Sequence, residues 1–290
     1  MSDGARPRSF YLLSAVFALF VLFLWGPMAA IVALSFQGPE GGLVFPMNGV
    51  SLHWFGVLFS DRGSVDISAA FTRSLWLALV VMVLTVVISV MAGLAFRRPF
   101  PGAVVLLYVA IASLIVPSIV VSLGIGLEFR MVDWAILWLG RVTGIEAIQS
   151  GFVTALGTFT SGLGAHLTWT LPFGLLIMFA VFNRFDPSYE EAARDLGASG
   201  WQTFRHVTLP IIAPFLIGVA VFGFTLSWDE LARSSQVMGS DNTLPMQLAA
   251  LTTTVTTPEI YALATVTTAA SLVLVAVLLT VAYAVNRGRT

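Results

Sequence analysis

Glu190-Glu191-Ala192-Ala193-Arg194-Asp195-Leu196-Gly197, followed after nine further residues by Val207-Thr208-Leu209-Pro210, lies between two long apolar runs. A polar stretch in that position is a loop at one face of a membrane. Upstream, Asp186-Pro187-Ser188 carries two overlapping helix-start signals: Asp186 can cap with Pro187 at the first helical position, or Ser188 and Glu191 can form a capping box. Ala192 and Ala193 favour helix and leave a low face that another backbone can approach closely. Gly197 stands where a left-handed C-terminal cap ends such a helix. A second helical piece is expected to set Trp201, Phe204 and Val207 three apart and pack them back on the bundle before Pro210 opens the next apolar run.

The composition fixes the setting of this loop. Hydrophobic residues make up 58% of the 290 and charged residues 10%, far from the balance of a water-soluble globular chain. Six apolar runs, at residues 10–36, 71–96, 103–127, 167–182, 211–231 and 261–286, match the roughly 20 residues a helix needs to cross about 30 Å of hydrocarbon. An all-α integral membrane fold with six transmembrane helices is therefore expected, with a loop at 183–210 and short ends at 1–9 and 287–290. The first run is too long for a signal-peptide core and reads as a retained helix.

Orientation comes from arginine alone, since the chain has no lysine. Arg6, Arg8, Arg97, Arg98, Arg184, Arg194, Arg205, Arg287 and Arg289 fall on one side, while Arg62, Arg73, Arg130, Arg141 and Arg233 fall on the other. Nine against five predicts both termini, and the loop, on the cytoplasmic side. Zero cysteines exclude disulfides, thiolate metal sites and cysteine nucleophiles, and a net charge of −1 argues against nucleic acid as a partner.

Outside the spans, residues 51–61 place apolar side chains at 52, 55 and 58 or 59, the spacing of a short amphipathic helix on the outer surface. His53 reads as a surface residue. The second external segment, 128–166, starts as a prolonged helix or a re-entrant piece, in which Trp134 and Trp138 would share a helix face at the membrane interface, and 151–164 reads as an irregular or loosely helical connection. Pro117, Pro172 and Pro214 are expected to kink or break their spans. His166 and His206 read as satisfied interfacial side chains.

Glu-Ala-Ala, three residues, Gly, nine residues, an aliphatic residue, any residue and Leu-Pro resembles the signature of ATP-binding-cassette importer permeases of the binding-protein-dependent, type I family; Val207 stands where that family usually has isoleucine. The resemblance implies that the 188–197 helix is a coupling helix seated on a separate ATPase dimer. Glu190, Glu191, Ala192, Ala193, Asp195, Gly197, Leu209 and Pro210 would then carry the coupling. It further implies a second, homologous permease subunit, a periplasmic binding protein that delivers the solute, a bacterial inner-membrane location, and ATP and magnesium held by the partner alone. The missing lysine agrees, because a phosphate-loop ATPase needs one.

Residues 51–61, Leu196-Gly197-Ala198-Ser199, Phe224-Thr225-Leu226-Ser227-Trp228-Asp229-Glu230, Leu244-Pro245 and Pro258-Glu259-Ile260-Tyr261-Ala262-Leu263-Ala264-Thr265 are similar to blocks of the second permease subunit of spermidine/putrescine transporters. A polyamine or related cation is the implied solute; relatives with the same signature carry ferric ion, thiamine, phosphonates or other amines. Two departures stand out: Arg73-Ser74 replaces the usual Asn-Ser, and 128–166 is longer than usual. On chemical grounds Trp228, Asp229, Glu230 and Glu128 are the candidate pathway residues, because carboxylates attract ammonium groups and an indole face binds them. Alternatively the two acids are solvated at the interface or pair with Arg233. The competing class is a self-sufficient secondary transporter, which would show paired repeats with broken helices and intramembrane charges. An intramembrane enzyme would need buried catalytic groups on facing spans, and the sequence offers none.

Overall fold

Without water to bond them, backbone groups in hydrocarbon must pair within their own segment, so the apolar runs fold as helices. The computed structural model describes residues 8–60, 67–254 and 257–287. Arg6, Asp61, Arg62, Arg289 and most of the two terminal segments fall outside the described residues. In chain order the helices are α1 (Arg8–Leu34), α2 (His53–Leu58), α3 (Ile67–Phe96), α4 (Ala103–Ile115), α5 (Ser118–Thr143), α6 (Glu146–Gly151), α7 (Leu163–Asn183), α8 (Ser188–Asp195), α9 (Gly200–Thr203), α10 (Leu209–Trp228), α11 (Leu244–Thr254) and α12 (Glu259–Arg287). Among the described residues five stretches are long and apolar enough to cross a membrane, and six if the bent pair α4–α5 counts as one.

The chain divides into two compact units, Met1–Ile67 with Leu248–Leu272 and Ser68–Gln247 with Val273–Thr290. In the first, the segment after α1 winds around the buried Gln37, whose Nε2–H donates to the Gly42 carbonyl at 3.1 Å and whose Oε1 accepts from the Asn48 N–H at 2.8 Å. Glycine is required beside it, because a Cβ on Gly41 would lie 2.2 Å from Gln37 Cγ. The expected amphipathic helix forms as α2, with a different face inward. Trp54 and Leu58 are buried, Trp54 Nε1–H donating to the Gly38 carbonyl at 3.3 Å, while Leu52 and Phe59 point outward because they flank the helix rather than belong to it. His53 is exposed, as read from the sequence.

In the second unit α3, α7 and α10 approach through small residues, the usual way membrane helices pack without a hydrophobic force between them. A Cβ on Gly174 of α7 would meet Ser89 Oγ at 2.1 Å, and one on Gly223 of α10 would meet Met82 Cα at 3.3 Å. Thr85 and Thr170 hydrogen-bond across the same contact at 2.7 Å. Nearer the α8 end, Val90, Met178, Phe182, Ile212 and Val219 form a buried cluster.

The three span prolines behave differently. Pro172 and Pro214 remain inside α7 and α10, whereas at Pro117 the chain breaks and α5 leaves α4 at 111°. A residue before proline is pushed toward extended backbone, and Val116, with ψ 132°, takes that option. The apolar run 103–127 is thus two helices, and α5 continues to Thr143, the prolonged helix among the two readings of the start of the second external segment. The connection before α7 is irregular over 152–157 and then a π-helical turn, Thr158–Gly162, that runs into α7.

Candidate functional site

At one end of the second unit, α8 stands between the ends of α3, α7 and α10. Asp186, not Ser188, starts it: Asp186 Oδ1 accepts from the Ser188 N–H at 3.0 Å, and that bond, seconded by the Ser188 side chain, holds the Asp186 carboxyl below its usual range. The helix stops at Gly197, with φ +86°, where Ala198 N–H donates to the Ala193 carbonyl at 3.1 Å and Gly197 N–H to that of Arg194 at 2.8 Å. This double closure is a Schellman cap. The capping box belongs to the next helix, α9, between Ser199 and Gln202.

What fixes α8 to the bundle is Glu190. Its carboxylate accepts two bonds from Arg97, Nη1 at 2.8 Å and Nη2 at 3.0 Å, and one from the Thr208 hydroxyl at 2.7 Å; Arg194 lies 3.6 Å away. Paired planar charges of this kind are among the strong hydrogen bonds. The Arg97 bond is the main reason the Glu190 carboxyl is held below its ordinary value. Arg97 is itself packed over the Phe182 and Phe185 rings, at 5.4 and 5.1 Å from their centroids. Glu190 is thus buried, whereas Glu191, Ala192, Asp195, Gly197 and Pro210 are exposed and Ala193 and Leu209 half-buried. Around the exposed acids, Tyr189, Leu196 and Trp201 present apolar surface, Leu196 at 90% exposure. Trp201 was expected to pack inward; only Phe204 and Val207 turn toward the bundle, and Trp201 stacks on the outer side of Phe204 at 5.6 Å. The sequence pointed to Glu190 but not to its partners: Arg97 was legible only as a topology signal, and Thr208 carried no signal.

At the opposite end of α10 the chain from Asp229 to Thr243 is not helical, yet Arg233, Ser234, Val237 and Met238 within it are buried. Arg233 holds it in place. Its Nη2 donates to the Ser113 carbonyl at 2.7 Å, Nη1 to Thr168 Oγ1 and Nε to Ser118 Oγ at 3.4 Å, with the Trp169 ring 4.9 Å from the guanidinium carbon. The Ser113 carbonyl needs an outside donor because its helical partner would be the N–H of Pro117, which proline lacks. The Thr168 carbonyl is orphaned in the same way by Pro172, and the Ser113 hydroxyl reaches it at 2.7 Å. Ser122 Oγ donates to the Arg233 carbonyl at 2.8 Å, and Ser161 Oγ to that of Val237 at 2.5 Å.

His166 lies inside α7 and bridges Ser227 (Nδ1, 2.8 Å) and Ser234 (Nε2, 2.9 Å). The Ser234 hydroxyl hydrogen is given to the Glu230 carbonyl at 2.6 Å, so His166 Nε2 is the donor and Ser227 gives its proton to Nδ1. Trp228 is buried against Phe224 and Phe71, and the Glu230 carboxylate accepts the Arg233 backbone N–H at 2.8 Å. Of Asp229 and Glu230, Asp229 is the exposed one, and partial burial raises its carboxyl pKa. Glu128 is exposed on α5, on the side away from Ser122 and Gly126, which pack on residues 233–236. Asp229 and Glu230 are brought together with Trp228; Glu128 is not. Arg73, the departure noted in the sequence, binds the same segment: Nε donates to the Asn242 carbonyl at 3.0 Å and Nη1 lies 3.8 Å from Asp241. Among the described residues no group of three or more His, Asp or Glu is placed to hold a metal ion.

The geometry is that of a helical bundle of membrane-spanning length, packed through glycines and carrying a capped, anchored helix with an exposed apolar tip. Residues 67–290 match the model of the binding-protein-dependent transport system inner membrane component, and the chain belongs to that family. It is the permease subunit of an ABC importer. The spermidine/putrescine permease PotC of Haemophilus influenzae is 30% identical over 92% of this chain and 94% of its own. The putrescine permease PotI of Escherichia coli K12 is 30% identical over 84% and 80%. Among solved structures, a bacterial ABC transporter involved in import of the acidic polysaccharide alginate superposes with a TM-score of 0.65 at 14% identity, covering 94% of each chain, which shows the shared fold.

Proposed function

We propose that this chain is one of two permease subunits of an ATP-driven importer for a polyamine or related small organic cation. A periplasmic binding protein delivers the solute, and a separate ATPase dimer, carrying the ATP and magnesium, docks on α8 at the cytoplasmic face, where both termini also lie. The observation that carries the reading is the division of labour in α8. Its inner side is tied to the ends of α3 and α10 through Glu190, while its outer side offers Glu191, Asp195 and Leu196 to a partner, and α9 adds the exposed Trp201. A helix so built moves with the spans when it is pushed.

The cationic solute is supported by the names of the two relatives and by Asp229, an exposed carboxylate at the outer end of α10. Trp228 and Glu230 act there as scaffold for Asp229, being occupied by Phe71, Phe224 and Arg233. Two measurements test the reading. Purified chain alone in liposomes should move no polyamine, and adding the ATPase, the second permease and the binding protein should give ATP-dependent uptake; transport by the chain alone would sink the proposal. Binding of the cognate external protein to a panel of cations, anions and sugars decides the solute, and a preference for an anion or neutral sugar would remove the role of Asp229.

A further inference from the structure

α5 has two opposite sides. One is buried at Ser122, Gly126 and Gly140 and packs on residues 233–236 and on α6. The other carries Val120, Leu123, Leu127, Met131, Trp134, Trp138 and Val142, each more than half exposed, at steps of three and four that place them in one stripe. The stripe continues, without a charged residue, the exposed apolar surface of α4 through Ile115, Val116 and Ile119. α4 sets out from the α8 end, and α5's buried side is bonded to the segment beyond the far end of α10, so the stripe sits at the side opposite α8.

We infer that the stripe of α5 lies in the lipid interface of that leaflet, as an in-plane arm resting on anionic phospholipid headgroups. Four observations carry this. The stripe is continuous with the exposed apolar surface of α4. Trp134 and Trp138 occupy its middle, and indoles settle at headgroup depth. Arg130 and Arg141, both exposed and without an ion pair among the described residues, lie along one edge where their heads can reach phosphate while their stems cover apolar surface. Glu128, exposed on the other edge, requires an interfacial depth rather than the hydrocarbon core. The 111° turn at Pro117 is what frees α5 from running on with α4. Asp133, accepting from Thr154 Oγ1 and Ala155 N–H at 2.6 Å each, fixes the helix against the connection behind it, so the stripe cannot roll inward.

The absence of cysteine makes the test direct, since each single-cysteine variant carries one labelling site. Nitroxide labels at Leu127→Cys, Met131→Cys, Trp134→Cys and Trp138→Cys, with Arg205→Cys as the water reference, are placed on the full chain in phosphatidylethanolamine/phosphatidylglycerol vesicles. The stripe labels should collide severalfold more with oxygen, relative to nickel-EDTA-diacetate, than the label at residue 205. Water-like access at all four, or spin–spin broadening that shows two copies paired along the stripe, overturns the proposal. Arg130→Gln with Arg141→Gln, labelled at residue 138, should lose part of the oxygen preference in phosphatidylglycerol vesicles and none in pure phosphatidylcholine. Equal behaviour in the two lipids overturns the role given to the arginines. The experiment needs neither ATPase nor solute, so its failure is separable from failure of the proposed transport function.

Discussion

The two ends of the α10 bundle are held by opposite means. At the α8 end a few charged bonds, centred on Glu190 and Arg97, fix a regular helix and leave its tip bare. At the far end many bonds to hydroxyls and carbonyls, centred on the buried Arg233, fix a backbone that has no regular structure of its own. A helix satisfies its own backbone and needs only an anchor; an irregular segment must find a partner for every buried group. The first arrangement suits a lever and the second a plug.

The largest effect is expected at the plug. Arg233→Met leaves the Ser113 carbonyl buried without a donor, and each such orphan costs about 1–3 kcal/mol, so thermal stability in detergent should fall clearly. Unchanged melting would show that the far end does not depend on this side chain. Next, Glu190→Ala should cost about 1.5–3 kcal/mol, the range for hydrogen bonds to charged groups, and lower uptake with it. A cycle with Arg97→Ala should return much of that as coupling energy; additive losses would mean that the pair is not the anchor.

Acid separates the ends further. Because Glu190 is held below its ordinary value of 4.5, its stabilisation is present at neutral pH and is lost only as pH falls below that value toward its folded pKa. Stability of the chain should decline there, and Glu190→Gln should flatten that part of the profile. Gly197→Ala, at φ +86°, should cost about 1–2 kcal/mol locally, while Glu191→Arg on the exposed tip should leave stability unchanged and abolish ATP-driven uptake. Normal uptake in the Glu191 variant would remove the docking role of α8. The smallest effect belongs to Asp229→Asn, expected to raise the KM for a dication with little change in melting temperature.

Much of this was legible beforehand, for physical reasons. Hydrocarbon demands long apolar helices, so the spans show in composition; α8 is capped by Asp186 before it and Gly197 after it because capping is local chemistry. Partners far apart in sequence were not legible. Arg97 meets Glu190 across 93 positions, and nothing near either residue announces the other. Pro117 and Pro172 look alike as letters, yet one breaks its helix and the other does not, because the surroundings and not the proline decide how the freed carbonyl is satisfied. Arg233, placed by its neighbours among interfacial acids, is instead buried, and the side of α2 that turns inward depended on where the helix began.

Ser113 takes part in both proline repairs, receiving at its carbonyl from Arg233 and giving from its hydroxyl to Thr168. Its hydroxyl also has the Ala110 carbonyl in reach at 2.9 Å, the bond it would fall back on without Thr168. The two prolines are therefore not independent characters of the chain. Pro117→Ala restores the N–H that a helix closed through Val116 would bring to the Ser113 carbonyl, so a substitution at residue 233 should cost less beside alanine than beside Pro117, the bonds from Arg233 to Thr168 and Ser118 being lost in either case. The order in which such changes can be accumulated is constrained, and Ser113 is the position through which that constraint passes.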